Sequence, residues 1–254
     1  MASRMFAELT WPEVGEAVER NAGVILPVGA TEQHGPHLPL ATDAILATDL
    51  AAAVAESADL LVAPPITYGY RSRPLSGGGQ GFVGTTSIRG GTLVSLVEDV
   101  LREFVRHGFR RLVIMSWHWE NRGFVYEAAF EALQPHAETR AKAMVMESPF
   151  AGLSEQTLET LFPDGFPGWE IEHASVIETS LMLHLHPELC RPERAVDDRA
   201  ERSPWYDLVP TPPEFVPESG VLWKASEGSA EKGALAWPAI VAQAGEAIEL
   251  ELPA

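Results

Sequence analysis

The sequence predicts an α/β fold, a three-layer α/β/α sandwich around a mostly parallel sheet, in a single domain spanning residues 1–254. Two observations carry this. Short β-branched runs alternate with helix-periodic segments, which calls for crossover connections and hence parallel strand pairing. The 254 residues, 46% hydrophobic and 21% charged, also supply one large core without any need of a covalent staple.

Taken in order, Thr10-Trp11-Pro12-Glu13 reads as a capping box with proline in the first turn, opening a short helix to about Glu19. GVILPV (23–28) is a buried strand by its β-branched run and flanking glycine. Residues 44–56 form an Ala-rich helix, and LLVAPPI (60–66) is a second strand ending at two prolines. A glycine-rich loop occupies 67–90. From Thr92, the residues Leu93, Leu96, Val97, Val100, Leu101 and Phe104 follow helical spacing, and their stripe is core. RLVIMS (111–116) is a third strand, followed by a helix near 122–134 and a fourth strand, AKAMVME (141–147). Further helices are expected near 155–162, 172–186 and 231–249. The proline-rich stretch from Arg191 to Ser229 has little periodicity and reads as an irregular surface excursion, a candidate subunit contact.

Eighteen basic against 36 acidic residues leave a formal charge of −18. Such a surface repels phosphate backbones and anionic membranes, which excludes nucleic acid as a partner. The lone cysteine, Cys190, cannot form an internal bridge and suits a reducing cytoplasm. The N-terminus MASRMFAELTWPEV has no unbroken apolar stretch of a secretory signal, and no run reaches the roughly 18 apolar residues of a membrane span. A small-molecule substrate and a cytoplasmic location are the expectations.

The chemistry gathers where strands end. Ligands of open parallel sheets bind beyond the carboxyl ends of the strands. Strand one runs into Glu32-Gln33-His34, and strand three into His118-Trp119-Glu120. Each supplies a carboxylate and an imidazole two residues apart, and extended backbone puts alternate side chains on one face. Asp43, at the start of the next helix, adds a third carboxylate. Two imidazoles and three carboxylates exceed what one tetrahedral zinc needs and suit two divalent ions, with Asp43 bridging and each ion taking one His and one Glu. A water between such ions loses a proton near neutral pH and becomes a nucleophile. Neither short spacing is specific alone; histidines satisfied in polar loops are the competing reading.

Other features carry less. Gly79-Gln80-Gly81-Phe82-Val83-Gly84 spells G-x-G-x-x-G, but no strand enters it and no helix opens from it, so it is not a dinucleotide fingerprint. His37 either orients a ligand or is a plain loop histidine. Glu178 lies about 140° around a helix from His173, so the two need not act together. His107, His136, His184 and His186 are expected at the surface or at helix ends.

The stretch TEQHGPHLP (31–39) followed by Asp43 resembles the creatininase (creatinine amidohydrolase) family. The likeness continues through YGYRSRPLSGGGQGFVGTTS (68–87), SWHWEN (116–121), FPDGFPGWEIEHASVIETSLMLHLHPEL (162–189) and KASEGSAEKG (224–233), the last resembling the creatinine-hydrolysing branch. The resemblance implies Glu32, Asp43 and His118 on one metal, typically manganese, and His34, Asp43 and Glu120 on the other, typically zinc. It implies Ser76, Trp119, Trp169, Glu170 and His173 around the substrate, with His173 and Glu120 as catalytic groups, and a homohexamer.

Those roles make chemical sense. Creatinine is a flat cyclic amide with a guanidino-like group. Trp119 and Trp169 would sandwich it, Glu170 would bind its partly cationic nitrogens, and His173 would protonate the leaving ring nitrogen. The chain departs from the pattern at Trp119, where tyrosine is expected, at Glu170, where aspartate is expected, and at Pro149, where a lid-like loop should carry tryptophan. The metal set is intact and the substrate pocket altered. Hydrolysis of another amide (a formamide, lactam or short peptide) is therefore the first alternative, and a non-catalytic ligand-binding paralogue the second.

Overall fold

The computed structural model describes residues 3–254, apart from the side chains at 135–137. Four strands, β1 (Gly23–Val28), β2 (Leu60–Val62), β3 (Arg111–Ser116) and β4 (Lys142–Met146), form one sheet. Their order is β2-β1-β3-β4, and every pairing is parallel. The alternation of strands and helices demanded this: before each new strand the chain returns through a helix to the same end of the sheet.

Consecutive strand residues face opposite ways, and the core divides accordingly. Ile25, Val62, Val113 and Met115 pack against α2 (Thr42–Ala55), α6 (Glu155–Leu161), α7 (Val176–Leu185) and α8 (Ala230–Glu251). Val24, Leu26, Leu61, Leu112 and Ile114 pack on the other face against α1 (Trp11–Glu19), α4 (Gly90–His107) and α5 (Arg122–Leu133). The result is the expected α/β/α sandwich. The start of α1 carries the capping box, with Thr10 N–H donating to Glu13 Oε2 at 2.7 Å.

Three features depart from the sequence reading by more than two residues. β2 stops at Val62 instead of Ile66, because Pro64 and Pro65 have no N–H to continue a ladder. The glycine-rich loop holds a one-turn helix, α3 (Pro74–Gly77). Helix α7 begins at Val176 and not near 172: Ala174 sits at φ 52°, a left-handed conformation that breaks the helical run. The excursion after Arg191 is irregular, as expected, with short 3-10 turns at Pro192–Arg194, Pro213–Phe215 and Ala225–Glu227.

The two ends of the sheet do different work. At its amino-terminal edge, buried Arg111 donates to the carbonyls of Leu252 (2.8 Å), Ala58 (2.7 Å), Asn21 (3.2 Å) and Asp59 (3.3 Å). At the carboxyl edge, Val28 of β1 lies in register with Ser116 of β3, so the segments after both strands emerge side by side. Among the described residues, no helix is long and apolar enough to cross a membrane.

Candidate metal centre

The segment leaving β1 passes directly over the first turn of α2. A Cβ at Gly29 would collide with the backbone of Asp43 and Ala44, so only glycine allows this approach. Asn121 braces the neighbouring segments: its Nδ2 donates to Gly29 O (3.0 Å), and its Oδ1 accepts from Tyr70 N–H (2.8 Å). These contacts bring Glu32, His34, Asp43 and His118 together, each at most 3% exposed.

Hydrogen bonds to carbonyls define both rings. A carbonyl only accepts, so His34 Nδ1–H donates to Glu32 O (3.1 Å) and His118 Nε2–H donates to Tyr70 O (2.9 Å). In the neutral rings the lone pairs then belong to His34 Nε2 and His118 Nδ1. His34 Nε2 faces Asp43 Oδ1 at 3.2 Å, and His118 Nδ1 faces Asp43 Oδ2 at 3.2 Å and Glu32 Oε2 at 2.9 Å. A nitrogen lone pair this close to a carboxylate oxygen is repulsive unless a proton or metal cation lies between them.

The electrostatics ask for positive charge. Among the described residues, no Lys or Arg side chain pairs with Glu32, Asp43, Glu120 or Glu178. Burial alone pushes the His34 imidazole down, but Asp43, Glu178 and Glu32 outweigh it and lift it to about 10. His118 is likewise raised against its burial, by Glu32, Asp43 and Glu120. Burial raises Glu32, whereas at Asp43 the two imidazoles overcome it and hold the carboxyl below its usual range. Protons thus occupy positions that a divalent cation would take. Glu32 Oε1, His34 Nε2 and Asp43 Oδ2 are buried without a hydrogen-bond partner, the mark of ligand atoms.

Two groups of buried ligands satisfy the distance requirement: Glu32, Asp43 and His118, and His34, His173 and Glu178, each with donor atoms within 4.8 Å of one another. The chain therefore has two metal-site clusters, and all-N/O donor sets of this kind suit zinc or manganese. Glu120 stands slightly apart. Its Oε1 accepts from Ser76 Oγ–H (2.7 Å) and Arg73 N–H (3.1 Å), and its Oε2 lies 3.6 Å from His118 Nε2.

Glu178 is a residue whose role the sequence left open. Its Oε2 lies 3.6 Å from His34 Nε2 and accepts from Ala174 N–H (2.7 Å), while its Oε1 accepts from Trp117 Nε1–H (3.1 Å). Burial raises its carboxyl to about 7. His37 is buried too, its Nε2 2.8 Å from Thr179 Oγ1, and burial followed by the nearby His34 lowers it to about 4. His107 and His184 are exposed, half-buried His186 pairs with Asp49 at 2.6 Å, and the expectation for His136 lies outside the described residues.

Beside the clusters lies a cavity of about 570 Å³, with Ser76, Trp119, Glu170 and Trp205 in its wall. The Trp119 ring carries the Arg122 guanidinium 4.2 Å from its centroid. Trp169 instead joins an aromatic cluster, with ring centroids 4.8 Å from Phe150 and 4.5 Å from Phe166. His173 is 6% exposed and lies 3.4 Å from Glu32 through its Nε2. Burial, then the nearby His34, pushes its imidazole well below the usual histidine range.

Known proteins match this arrangement. A family profile described as creatinine amidohydrolase (Creatininase) matches residues 7–248. A creatinine amidohydrolase from Pseudomonas putida is 42% identical over 250 residues, 97% of this chain and 96% of its own length. A mycofactocin precursor peptide peptidase from Mycobacterium tuberculosis is 34% identical, over 86% of this chain and 81% of its own. Solved creatininase structures superpose at TM-score 0.95 and 40–41% identity across the whole of both chains; they include a zinc–zinc form, a manganese form and a complex with creatine.

Proposed function

The chain belongs to the creatininase family, and on that footing we propose that it is a two-metal cyclic amidohydrolase opening creatinine reversibly to creatine. The observation that carries the reading is the pair of buried ligand clusters meeting at Asp43, beside a cavity walled by Ser76, Trp119 and Glu170.

We assign Glu32, Asp43 and His118 to one ion, and His34, Asp43 and Glu120 to the other. Glu178, 3.6 Å from His34 Nε2, is a further carboxylate that would be available to the second ion. When bound, the ions polarise the amide carbonyl and acidify a water at neutral pH. The protein groups do the rest. Trp119 offers a flat face to the ring, and Glu170 takes its partly cationic nitrogens. Trp169 backs the substrate loop through Phe150 and Phe166. Ser76 and Arg73 hold Glu120 where it accepts a proton from the attacking water. Hydrolysis breaks the ring C–N bond, and His173, neutral at the outset, relays to the departing nitrogen the proton that the attacking water gives up to Glu120.

Zinc and manganese as the ions, a homohexamer as the assembly, one functional domain over 1–254 and a cytoplasmic location complete the reading by family. A second reading, hydrolysis of a larger amide, is favoured by the cavity itself, which exceeds one five-membered ring and includes Arg73, Arg122 and Arg199 in its wall. Turnover of a panel of cyclic ureas, lactams, formamides and short peptides by zinc- and manganese-loaded protein tests both. Creatinine is expected to be the best substrate; no creatinine turnover alongside rapid cleavage of another amide would replace the first reading with the second.

A further inference from the structure

The cavity beside the metal clusters carries charge opposite to that of the chain as a whole. Acidic residues outnumber basic ones 36 to 18, yet in this wall Arg73, Arg122 and Arg199 meet one carboxylate, Glu170. A neighbouring cavity of about 650 Å³ shares Arg73, Trp119 and Arg122 with it and includes Glu120. Arg73 N–H itself donates to Glu120 Oε1 (3.1 Å), so the arginines stand on the Glu120 side of the metal centre. Creatinine has no anionic group and gives them nothing to bind.

The three are not equivalent. Arg73 is spent on Asp207, to which its Nε donates at 3.0 Å, a pair that clips the excursion after Arg191 to the Ser76 turn. Arg122 is half-buried and held on two sides: its Nε donates to Glu147 Oε2 (3.0 Å), and its guanidinium lies over the Trp119 ring. Among the described residues its two Nη nitrogens have no partner, which leaves free the planar edge that matches a carboxylate. Arg199 pairs with no carboxylate among the described residues, although it also borders a groove with Glu201, Glu214 and Glu218. Asp198, next to it, is consumed locally: Oδ1 accepts from Arg199 N–H (2.8 Å), and Oδ2 accepts from Ser219 N–H (2.9 Å) and Ser219 Oγ–H (2.7 Å). The backbone of Arg199 is pinned and its charge is left to the cavity.

We propose that the site takes a second substrate class: amides that carry a carboxylate on an arm remote from the bond cleaved, with Arg122 and Arg199 holding that carboxylate. A planar, singly charged group suits the one free edge of Arg122, and the Glu170 charge in the same wall, better than a dianionic phosphate does. Hydrolysis of such an amide adds water across the C–N bond: the water oxygen enters a new carboxylate, and the nitrogen leaves with a proton. The product then has two carboxylates, the new one where the amide carbonyl stood and the original one at the arginines. Which bond breaks rests on the amidohydrolase reading; the carboxylate arm rests on the arginines alone.

Dicarboxylates from succinate to pimelate imitate that product, and monocarboxylates of the same chain length are their controls. Calorimetry on zinc-loaded, full-length protein should find one length at which the dicarboxylate binds about tenfold or more tighter than its control. Arg199→Gln, which breaks no ion pair, should remove most of that advantage, and so should Arg122→Gln, each with metal content intact. Dicarboxylates no better than monocarboxylates at every length, or an advantage that survives in the Arg122→Gln/Arg199→Gln double variant, would overturn the proposal. Tighter binding still when a phosphonate replaces the far carboxylate would overturn the choice of carboxylate. If the protein hydrolyses no amide, the amidohydrolase reading falls while the titration still decides what the arginines hold. If creatinine is opened but the titration fails, only the second substrate class falls.

Discussion

Oδ1 of Asp43 lies 3.2 Å from Nε2 of His34, and the other oxygen of the same carboxylate lies 3.2 Å from the second imidazole, His118. One side chain thus faces both clusters. Asp43→Asn should lose both ions, whereas His34→Ala should chiefly empty one. Elemental analysis of purified variants checks this, and two metals per chain retained in Asp43→Asn would remove the bridging role.

Metal uptake should release protons. Without an ion, the carboxylates hold His34 at about 10, so near neutral pH the ring keeps a proton that a ligand nitrogen must give up. Raising the pH toward that value removes the competitor, and lowering it restores the competitor. Affinity for zinc should therefore increase with pH. Calorimetry in buffers of different ionisation enthalpy counts the protons; uptake instead of release on binding would contradict the assigned electrostatics.

The two tryptophans should separate cleanly. Trp119 lines the cavity, so Trp119→Ala should raise KM by the loss of a stacking contact worth about 1–3 kcal/mol, with little change in Tm. Trp169 is wedged between Phe150 and Phe166, so Trp169→Ala should destabilise the fold by about 2 kcal/mol or more. Thermal melts and steady-state kinetics on both variants test the division, and an unchanged KM in Trp119→Ala would make that ring a wall without a substrate.

Removing the proton donor should spare the metals. His173→Gln is expected to bind both ions and to lose about 10²–10⁴-fold in kcat, the usual contribution of a placed general acid. Loss of an ion would instead assign His173 to the cluster it forms with His34 and Glu178.

Much of this was legible in the sequence. The sheet strands reported themselves as β-branched runs, and the E-x-H and H-x-E pairs fell at the ends of two neighbouring parallel strands. What stayed hidden depended on single backbone angles. Judging Glu178 against His173 required both to lie on one helix, but the left-handed turn at Ala174 interrupts it and folds Glu178 back onto His34. The packing of Trp169 was equally unreadable, since Phe150 precedes α6 in the chain and Phe166 follows it.

The guanidinium of Arg111 has a consequence for the growing chain. Three of its acceptors, on Asn21, Ala58 and Asp59, are synthesised before it, but the fourth, on Leu252, follows 141 residues later. At about 5–20 residues per second, that interval is roughly 7–28 s. Throughout it, a charge meant for a closed sheet edge is one partner short, and helix α8, which covers one face of the sheet, is not yet in place. The nascent protein can assemble the strands that carry its chemistry while its far edge stays open. Chaperone capture or aggregation during translation should therefore begin at the Arg111 end of the sheet, the end remote from the metals.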